Sequence, residues 1–333
     1  MSFESFENIN NTGPKKANLA FMILFTVSAM AALAILPFFG FISLAFIPVP
    51  AALLLCMNRY RDAVICAIAG TVILFIFNYI LALVLLAIIA GVSFYYRHIK
   101  DKDKIIKPAY SVLILAAIFA SSILIYLLAE SAAIGSNAFS QLIVKYNESV
   151  KNIFSQQFLD EMRSVIIIDS SQLETAAKQT QDMFLFMPKL FPGLLAVFFG
   201  LTGLLNYYFS YFFFRRYQVK VPQPVSFKEL DVPWYCCWGV IAGIVCLVIP
   251  KFNDAYDGIL DIAGYNLIIA FGTLYLLLGI AVLWGLLERF KVRNSVKIFI
   301  IVIVFLFFGF LIILPVLGLI DIWANFRKLN RSQ

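Results

Sequence analysis

The feature that most constrains this chain is a series of long apolar runs without charged side chains. The longest, Ala63–Tyr96, holds 34 residues with no Asp, Glu, Lys or Arg, and it would be about 51 Å long as a single helix. Because roughly 20 helical residues cross a bilayer core about 30 Å thick, this run predicts two short helices with a turn at Asn78-Tyr79. With 62% hydrophobic and only 14% charged residues, the chain has too little polar surface to cover its apolar side chains in water. The sequence therefore predicts an all-α, polytopic bundle of transmembrane helices.

About nine spans are predicted, with eight as the alternative count. The runs that define them are Leu19–Leu36, Phe38–Met57, the two halves of Ala63–Tyr96, Ser111–Ala129, Pro188–Phe214, Trp234–Ile249, Ile259–Leu287 and Ile298–Ile320. Pro48 and Pro50 interrupt the second run, because proline lacks a backbone donor and pushes the residue before it away from helix. In lipid such a break needs cover from neighbouring helices, or it must line a cavity.

One long hydrophilic stretch, Ser131–Met187, separates the fifth and sixth spans. Apolar residues recur in it at helical spacing from Phe139 to Phe158, which predicts an amphipathic helix that lies on the membrane or caps the bundle. The domain organisation expected from these patterns has three parts. They are a polar N-terminus (1–16), a transmembrane module (17–220) that includes the 131–187 segment, and a C-terminal transmembrane unit (221–333).

The distribution of basic residues predicts the orientation of the chain in a bacterial cytoplasmic membrane. With the N-terminus in the cytoplasm, the inner segments carry 17 Lys and Arg and the outer segments carry 6, of which 5 lie in the long 130–189 stretch. The outer segments also hold 10 of the 19 acidic residues. Because basic residues are retained on the cytoplasmic side, we predict a cytoplasmic N-terminus and an extracytoplasmic 131–187 segment.

At the C-terminal end, two rules give opposite predictions. Nine spans would place the tail 321–333 outside, whereas its three basic residues favour the cytoplasmic side. A hairpin within Ile298–Ile320 would satisfy the charge rule, but each arm would hold about 11 residues, roughly half of a span. Since length is the harder limit, we predict one span and an outside tail, with Trp323 at the outer interface.

The composition argues against several classes of function. No ionisable side chain lies in mid-span, His98 is the sole histidine, and the five cysteines lack metal-ligand spacing, so we expect no metal, no cofactor and no enzymatic activity. The sequence has no phosphate-binding GxxxxGK[ST] motif, so the chain is not expected to hydrolyse ATP itself. The net charge of +7 comes from clusters at span ends, which favours a lipid bilayer as partner over nucleic acid.

Polar groups within the spans are the candidate binding residues. The ligand-binding candidates are Asn78, Tyr79, Asn206, Tyr207 and Asn266. An asparagine in lipid finds a partner across a helix interface, so structural packing is one interpretation. The lining of a ligand cavity between the first six spans, near the outer leaflet, is the other.

Several motifs are shared with one bacterial family. They are the basic N-terminal flank, Pro48-x-Pro50 before Arg59, the paired short helices ending near Gly91, Pro233-Trp234, the Asn266…Leu274-Tyr275…Gly279 segment, and the closing Gly318-Leu-Ile-Asp321-x-Trp323-x-x-Phe326-Arg327-Lys328. Over residues 15–328 the chain thereby resembles the YybS-like predicted membrane proteins, which are built on a domain of unknown function.

The resemblance implies a fold and a partner. The family is grouped by similarity with the substrate-binding S-components of energy-coupling-factor vitamin transporters. It therefore implies an S-component-like six-helix module over about residues 15–220, extra C-terminal helices, and no catalytic residue. S-components dock their transmembrane coupling subunit through an Ala-x-x-x-Ala face on the first helix. Here the first span offers Ser28-x-x-x-Ala32, and Ala63-x-x-x-Ala67 lies in the third span.

Two classes of function follow from these observations. The first is a small-molecule binding or uptake subunit that relies on partner energy-coupling ATPase and transmembrane subunits. The second is a non-transporting membrane scaffold or envelope-assembly factor, whose docking surfaces are the outer amphipathic segment and the motif residues. The motif residues considered for docking are Pro48, Pro50, Arg59, Asp321, Trp323 and Arg327.

Overall fold

A computed structural model of the protein describes residues 17–35, 40–102, 108–155, 170–219, 226–249, 258–306 and 310–329. Within these ranges the regular elements are all helical, as the apolar runs predict. The polar N-terminus 1–16, the proline linker 221–225 and the last tail residues, 330–333, lie outside the described residues.

The helices follow the predicted runs closely. In chain order they are α1 (Leu19–Ile35), α2 (Gly40–Phe46), α3 (Val49–Cys56), α4 (Tyr60–Phe77), α5 (Tyr79–Lys102), α6 (Pro108–Ile134), α7 (Ala138–Ile153), α8 (Ser170–Phe186), α9 (Phe191–Arg216), α10 (Cys237–Val248), α11 (Ile259–Arg289), α12 (Asn294–Leu306) and α13 (Phe310–Ala324). Short 3₁₀ helices lie at Met187–Leu190, Phe227–Glu229 and Trp234–Cys236.

Four helical segments of the described chain are long and apolar enough to cross a membrane. They are Tyr79–Asp101, Ala109–Ile134, Gln172–Arg216 and Ile259–Arg289. Five shorter apolar helices accompany them, at Leu19–Leu33, Ile42–Cys56, Trp234–Val248, Asn294–Val304 and Ile312–Ala324. A membrane environment is therefore shared by most of the helical chain.

Two predicted helix breaks are confirmed. Helix α4 ends at Phe77 and α5 begins at Tyr79; the intervening Asn78 has extended backbone angles, and its side chain accepts a hydrogen bond of 2.9 Å from the Leu81 N–H. This is the N-cap arrangement that starts a helix. The proline break lies between α2 and α3, where Pro50 falls in the first turn of α3, a position in which its missing N–H costs nothing.

The described chain divides into two compact units. Unit 1 comprises Met1–Tyr126, Phe198–Val232 and Leu277–Gln333, and unit 2 comprises Leu127–Val197 and Pro233–Leu276. At the centre of unit 1 lies the short helix α3, in which all residues except Leu55 are buried. It packs against α1, α4 and α5, so neighbouring helices surround the interrupted segment.

Unit 2 contains the predicted amphipathic helix as α7, up to Ile153, and Phe158 at the end of the predicted pattern lies outside the described residues. Asn137 caps its start by accepting a hydrogen bond of 3.1 Å from the Ser140 N–H. Its inner face packs through rings: the Phe139 and Phe191 centroids are 6.2 Å apart, and those of Tyr146 and Phe191 are 6.4 Å apart. Helix α7 also contacts α8.

The final apolar run, predicted as one span, forms two helices, α12 and α13, and the side of the membrane on which the tail lies stays a prediction. As a single rod, residues 294–324 would hold their ends about 46 Å apart. Instead, near the start of α12, the Lys297 Nζ is 3.7 Å from the Glu288 Oε2, and Lys228 reaches the same carboxylate at 2.7 Å. Arg327, just beyond α13, donates to the Lys228 carbonyl at 2.9 Å. Both ends therefore meet, and α12 and α13, which contact each other, form a hairpin.

The hairpin is short for a pair of membrane spans. Its arms of 13 and 15 residues are about 20 and 22 Å long, which is less than the full bilayer core. The hairpin keeps an apolar outer surface, on which Phe299, Ile312 and Ile313 are each more than half exposed. Arg327, four residues after Trp323, bonds to the Lys228 carbonyl at the end where the two arms meet α11.

Candidate functional site

The most buried polar side chain of unit 1 is Asn206 on α9. It is fully buried, and its Nδ2 donates to the carbonyl of Ala45 at 2.7 Å, while its Oδ1 accepts from the Tyr96 hydroxyl at 3.1 Å. Ala45 lies in the last turn of α2, immediately before the proline break. Asn206 therefore supplies a donor to a carbonyl at the point where the regular helix ends, which is the cover that a broken helix requires in lipid.

Aromatic rings fill the volume around the same break. Phe46 stacks on Phe209 with ring centroids 3.8 Å apart, and Phe25 makes edge contacts with Phe46 at 5.7 Å and Phe213 at 5.3 Å. These rings come from α1, α2 and α9. The α2–α3 break is therefore stabilised by the hydrogen bond from Asn206 and by the close packing of these aromatic rings.

The α4–α5 turn is tied to α6. The Asn78 Nδ2 lies 3.4 Å from the Tyr126 hydroxyl oxygen, to which it donates, while the Asn78 Oδ1 caps α5. The neighbouring Tyr79 is 56% exposed, whereas Tyr207 is buried. Within unit 1, Asn78 and Asn206 thus bond to different helices and share no hydrogen-bond partner among the contacts of the described residues.

Asn266, in unit 2, joins the start of α9 to α11. Its Oδ1 accepts from the Gly193 N–H at 2.6 Å, and its Nδ2 donates to the carbonyls of Lys189 and Ile262 at 2.9 and 2.7 Å. Gly193 permits this approach, because a Cβ there would lie 2.7 Å from the Asn266 backbone oxygen. The amide thus satisfies backbone groups at the junction between the 3₁₀ turn and α9.

The ligand-binding role of Asn78, Tyr79, Asn206, Tyr207 and Asn266 stays a prediction. Each asparagine bonds to protein groups through both ends of its amide, and five of the partners are backbone groups: the N–H groups of Leu81 and Gly193 and the carbonyls of Ala45, Lys189 and Ile262. A shallow surface groove of about 380 Å³ in unit 2 is lined by α7 and the residues before it, from Ser136 to Glu148, and none of the five candidates contributes to it.

Three basic side chains hold the polar ends of the helices in unit 1. Arg59 pairs with Asp62 at 2.6 Å and donates to the Ala17 carbonyl. Arg97 donates to the Leu55 carbonyl at 3.1 Å, and Lys100 donates to the carbonyl of Cys56. Cations at the last carbonyls of a helix interact favourably with its dipole. The motif residue Arg59 and its neighbours thus fasten the ends of α1, α3 and α5 together.

The C-terminal motif residues Asp321 and Arg327 form a buried ion pair. Their side chains are 0% and 2% exposed, and Arg327 reaches the Asp321 Oδ2 from Nε at 3.0 Å and from Nη2 at 2.8 Å. Its Nη1 donates to the carbonyls of Lys228 and Leu230 at 2.9 and 2.6 Å. The guanidinium fork therefore clamps the 226–232 linker to the tail, using the planar donor geometry that lysine lacks. We refer to this arrangement as the C-terminal clamp.

A second ion-pair group adjoins the clamp through Lys228. Glu288 accepts from Lys228 at 2.7 Å and lies 3.7 Å from the buried Lys297, whose ammonium also stands 5.2 Å from the Trp284 ring centroid. The hydrogen bond to the Glu288 carboxylate raises the pKa of Lys228. No sequence motif predicted this role for Lys228, Glu288 or Lys297. The available signal was that Glu288 is the one acid in an otherwise basic turn.

No metal centre is evident in the part of the chain that the structure describes. No group of three or more His, Cys, Asp or Glu side chains there could hold an ion. All five cysteines are free thiols, and Cys66 lies 3.3 Å from the Thr26 hydroxyl oxygen, at the contact between α1 and α4.

Comparison with known proteins identifies one family. The profile described as "Predicted membrane protein (DUF2232)" matches residues 23–322, in agreement with the resemblance that the motifs indicate. No curated protein matches the chain, and no solved structure matches it.

Proposed function

The chain belongs to the DUF2232 family of predicted membrane proteins, and from this premise we propose that it is a non-enzymatic membrane scaffold that assembles with other envelope proteins. The observation that carries the proposal is the use of Asn78, Asn206 and Asn266, whose amides bond to protein groups at helix breaks and junctions. A small-molecule site needs a few polar groups that converge on open space. The amides of these three asparagines serve the packing of the bundle instead.

Helix α7 supplies the surface that we propose for docking. Its inner face is occupied by Phe139 and Tyr146, yet Leu142, Val144 and Ile153 are each more than half exposed. An amphipathic helix usually directs its large apolar residues to one buried side. Leu142 and Ile153 lie beside Phe139 and Tyr146 on the helix, and Val144 lies on the opposite side near Glu148. These exposed apolar side chains, next to charged ones, suit contact with another protein.

We propose that the scaffold lies in a bacterial cytoplasmic membrane with both termini in the cytoplasm. In this arrangement the chain crosses the membrane eight times before α12, and the α12–α13 hairpin then enters and leaves the membrane from the cytoplasmic side. With the tail inside, its 3 basic residues join the 17 of the inner segments, which gives 20 against 6. This distribution obeys the positive-inside rule better than the nine-span arrangement does.

Photo-crosslinking in intact cells tests the scaffold proposal. A photoreactive residue at Leu142 or Val144 should give one discrete protein adduct. The matched control is Ile76, which is 78% exposed on α4 and should react with lipid only. Crosslinking at α7 that yields no protein adduct, at expression levels where Ile76 still labels lipid, would contradict the proposal.

A small-molecule uptake subunit is the second candidate, and the interrupted pairs α2–α3 and α12–α13 favour it. Transporters often build their sites from discontinuous helices. An S-component-like protein would require partner ATPase and coupling subunits, which would dock on an accessible face of small residues. Here Ala63 of the Ala63-x-x-x-Ala67 face is buried, and of Ser28 and Ala32 on the first helix only Ser28 is exposed. Native mass spectrometry decides between the candidates. A stoichiometric non-lipid mass that is lost in Asn206→Leu would favour uptake.

A further inference from the structure

The turn after α11 carries three basic side chains that take no part in the ion pairs of the C-terminal region. Arg289, Lys291 and Arg293 are all exposed, and none of them forms a salt bridge with another residue in the described ranges. The three charges lie within five residues of one another. Such a concentration of positive charge calls for an anionic partner.

The acids nearby are already engaged or too few to neutralise this turn. Glu288 is shared between Lys228 and Lys297, and Asp321 is held by Arg327. The linker adds Asp231, which lies 3.8 Å from Arg327, and the exposed Glu229. Over residues 226–232, 288–297 and 321–329 there are seven basic and four acidic side chains. The internal pairs cancel, and the excess positive charge is left on the outward side of the turn.

The turn has a defined backbone conformation. The Lys291 N–H donates to the Glu288 carbonyl at 2.9 Å and the Val292 N–H to the Leu287 carbonyl at 3.1 Å, while Lys291 adopts a positive φ of 54°. This is the Schellman arrangement that satisfies the last carbonyls of a helix. Because backbone N–H groups cap α11, its three basic side chains are not needed for that purpose.

The position of the turn relative to the bilayer follows from helix length. Helix α11 has 31 residues and is therefore about 46 Å long, which exceeds a hydrocarbon core of about 30 Å. Its end must stand among the headgroups. Phe290, between two of the cations, is 75% exposed, and Trp323, in the last turn of α13, is 65% exposed. Exposed aromatic rings at this level are typical of side chains that sit in the membrane interface.

We propose that Arg289, Lys291 and Arg293, with Phe290 between them, form a docking site for an anionic phospholipid of the adjoining leaflet. The two guanidinium groups offer paired N–H donors to the lipid phosphate, Lys291 adds a third charge, and the Phe290 ring contacts the glycerol and upper acyl region. A lipid is favoured over free phosphate because an inorganic anion offers the exposed Phe290 ring no apolar group to contact.

Lipid binding to the purified full-length protein tests the site. The probes are phosphatidylglycerol and phosphatidylcholine with identical acyl chains, added to detergent-solubilised protein and counted by native mass spectrometry. The variant is the triple substitution R289Q/K291Q/R293Q, and the matched control is K151Q/K178Q/K189Q, which removes three exposed lysines from α7, α8 and the 3₁₀ turn after α8. Since each basic residue near an anionic surface contributes about fivefold in affinity, the R289Q/K291Q/R293Q variant should lose phosphatidylglycerol affinity by about tenfold or more, and the control should retain it.

Three further results complete the test. Phe290→Ser should weaken retention of phosphatidylglycerol at unchanged charge, and the thermal unfolding of each variant should match that of the wild type. Inorganic phosphate at millimolar concentration should not displace the lipid. Equal retention of phosphatidylglycerol by the wild type and the R289Q/K291Q/R293Q variant, equal binding of both lipids by the wild type, or displacement by phosphate alone would each overturn the proposal.

Discussion

At the scale of single residues, Arg327 illustrates how one side chain can join distant parts of the chain. Its guanidinium contacts Asp321 six positions away and the carbonyls of Lys228 and Leu230, which are 99 and 97 positions away. A buried charge that loses its partner keeps its desolvation cost without compensation. The C-terminal clamp should therefore be sensitive to the removal of either of its charges.

We predict that Arg327→Gln destabilises the folded protein by about 3–5 kcal/mol, because it leaves the buried Asp321 carboxylate without its cation. Unfolding of the detergent-solubilised protein, followed by circular dichroism, measures the loss. Lys328→Gln, which removes an exposed neighbouring charge, should change little. The double variant Arg327→Met with Asp321→Leu should recover part of the loss. A wild-type unfolding curve for Arg327→Gln would show that the clamp contributes no stability.

Asn206 provides the second test at this scale. Replacing it with Leu should cost about 1–3 kcal/mol, because the Ala45 carbonyl and the Tyr96 hydroxyl would each lose a buried partner. Thr202→Val is the matched control, since the Thr202 hydroxyl bonds only to the Phe198 carbonyl of its own helix, at 2.8 Å. If both variants unfold alike, Asn206 does not support the α2–α3 break.

At the scale of elements, the α12–α13 hairpin is the least expected feature of the fold. It depends on a close approach of α13 to α11 at Gly279, where an added Cβ would lie 1.9 Å from the Leu314 carbonyl oxygen. A helix backbone cannot yield as a flexible side chain can, so this glycine fixes where the hairpin packs.

We predict that Gly279→Ala destabilises the protein by about 1–3 kcal/mol through overpacking. Gly272→Ala on the same helix is the matched control, because its nearest neighbour to an added Cβ is the Ile268 Cγ2 at 3.9 Å. Alanine is the better helix former, so the control should be neutral or slightly stabilising. Comparing the two melting temperatures checks the prediction, and a stable Gly279→Ala protein would be inconsistent with the close crossing.

A reporter fusion tests the hairpin directly. Because the hairpin returns the tail to the side of Lys228 and Glu288, green fluorescent protein fused after Gln333 should be bright, and alkaline phosphatase at the same point should be inactive. The length argument for a single final span gives the opposite pattern. Active phosphatase with dark fluorescent protein would therefore exclude the re-entrant arrangement.

At the scale of the whole molecule, sidedness can be read from cysteine accessibility. In a background where the five native cysteines are replaced, Glu148→Cys and Gln172→Cys should react with a membrane-impermeant maleimide in spheroplasts. Glu229→Cys and Lys328→Cys should react only after lysis. All four positions are exposed in the structure, so differences in labelling report the side of the membrane. Labelling of Lys328→Cys before lysis would require the tail to be outside.

Much of the fold could be predicted from the sequence because the deciding constraints are local. A run of apolar residues must become helix in lipid, since every backbone group needs a partner within the segment. Its length sets how many helices it makes, as in Ala63–Tyr96, where Asn78 marks the turn. The proline break and the amphipathic α7 are equally local, because ring chemistry and helical periodicity act over a few residues.

The partners of polar and charged side chains were decided only by the tertiary structure. The sequence identified Asn206, Asp321 and Arg327 as unusual, but it could not tell that Asn206 covers the α2–α3 break or that Arg327 holds a linker almost a hundred residues away. Charge bias and span length gave opposite predictions for the tail, and the sequence offers no common scale for weighing them. The tertiary structure adds what neither rule contains, because α12 and α13 fold back on each other and bring Lys228, Glu288 and Arg327 within bonding distance.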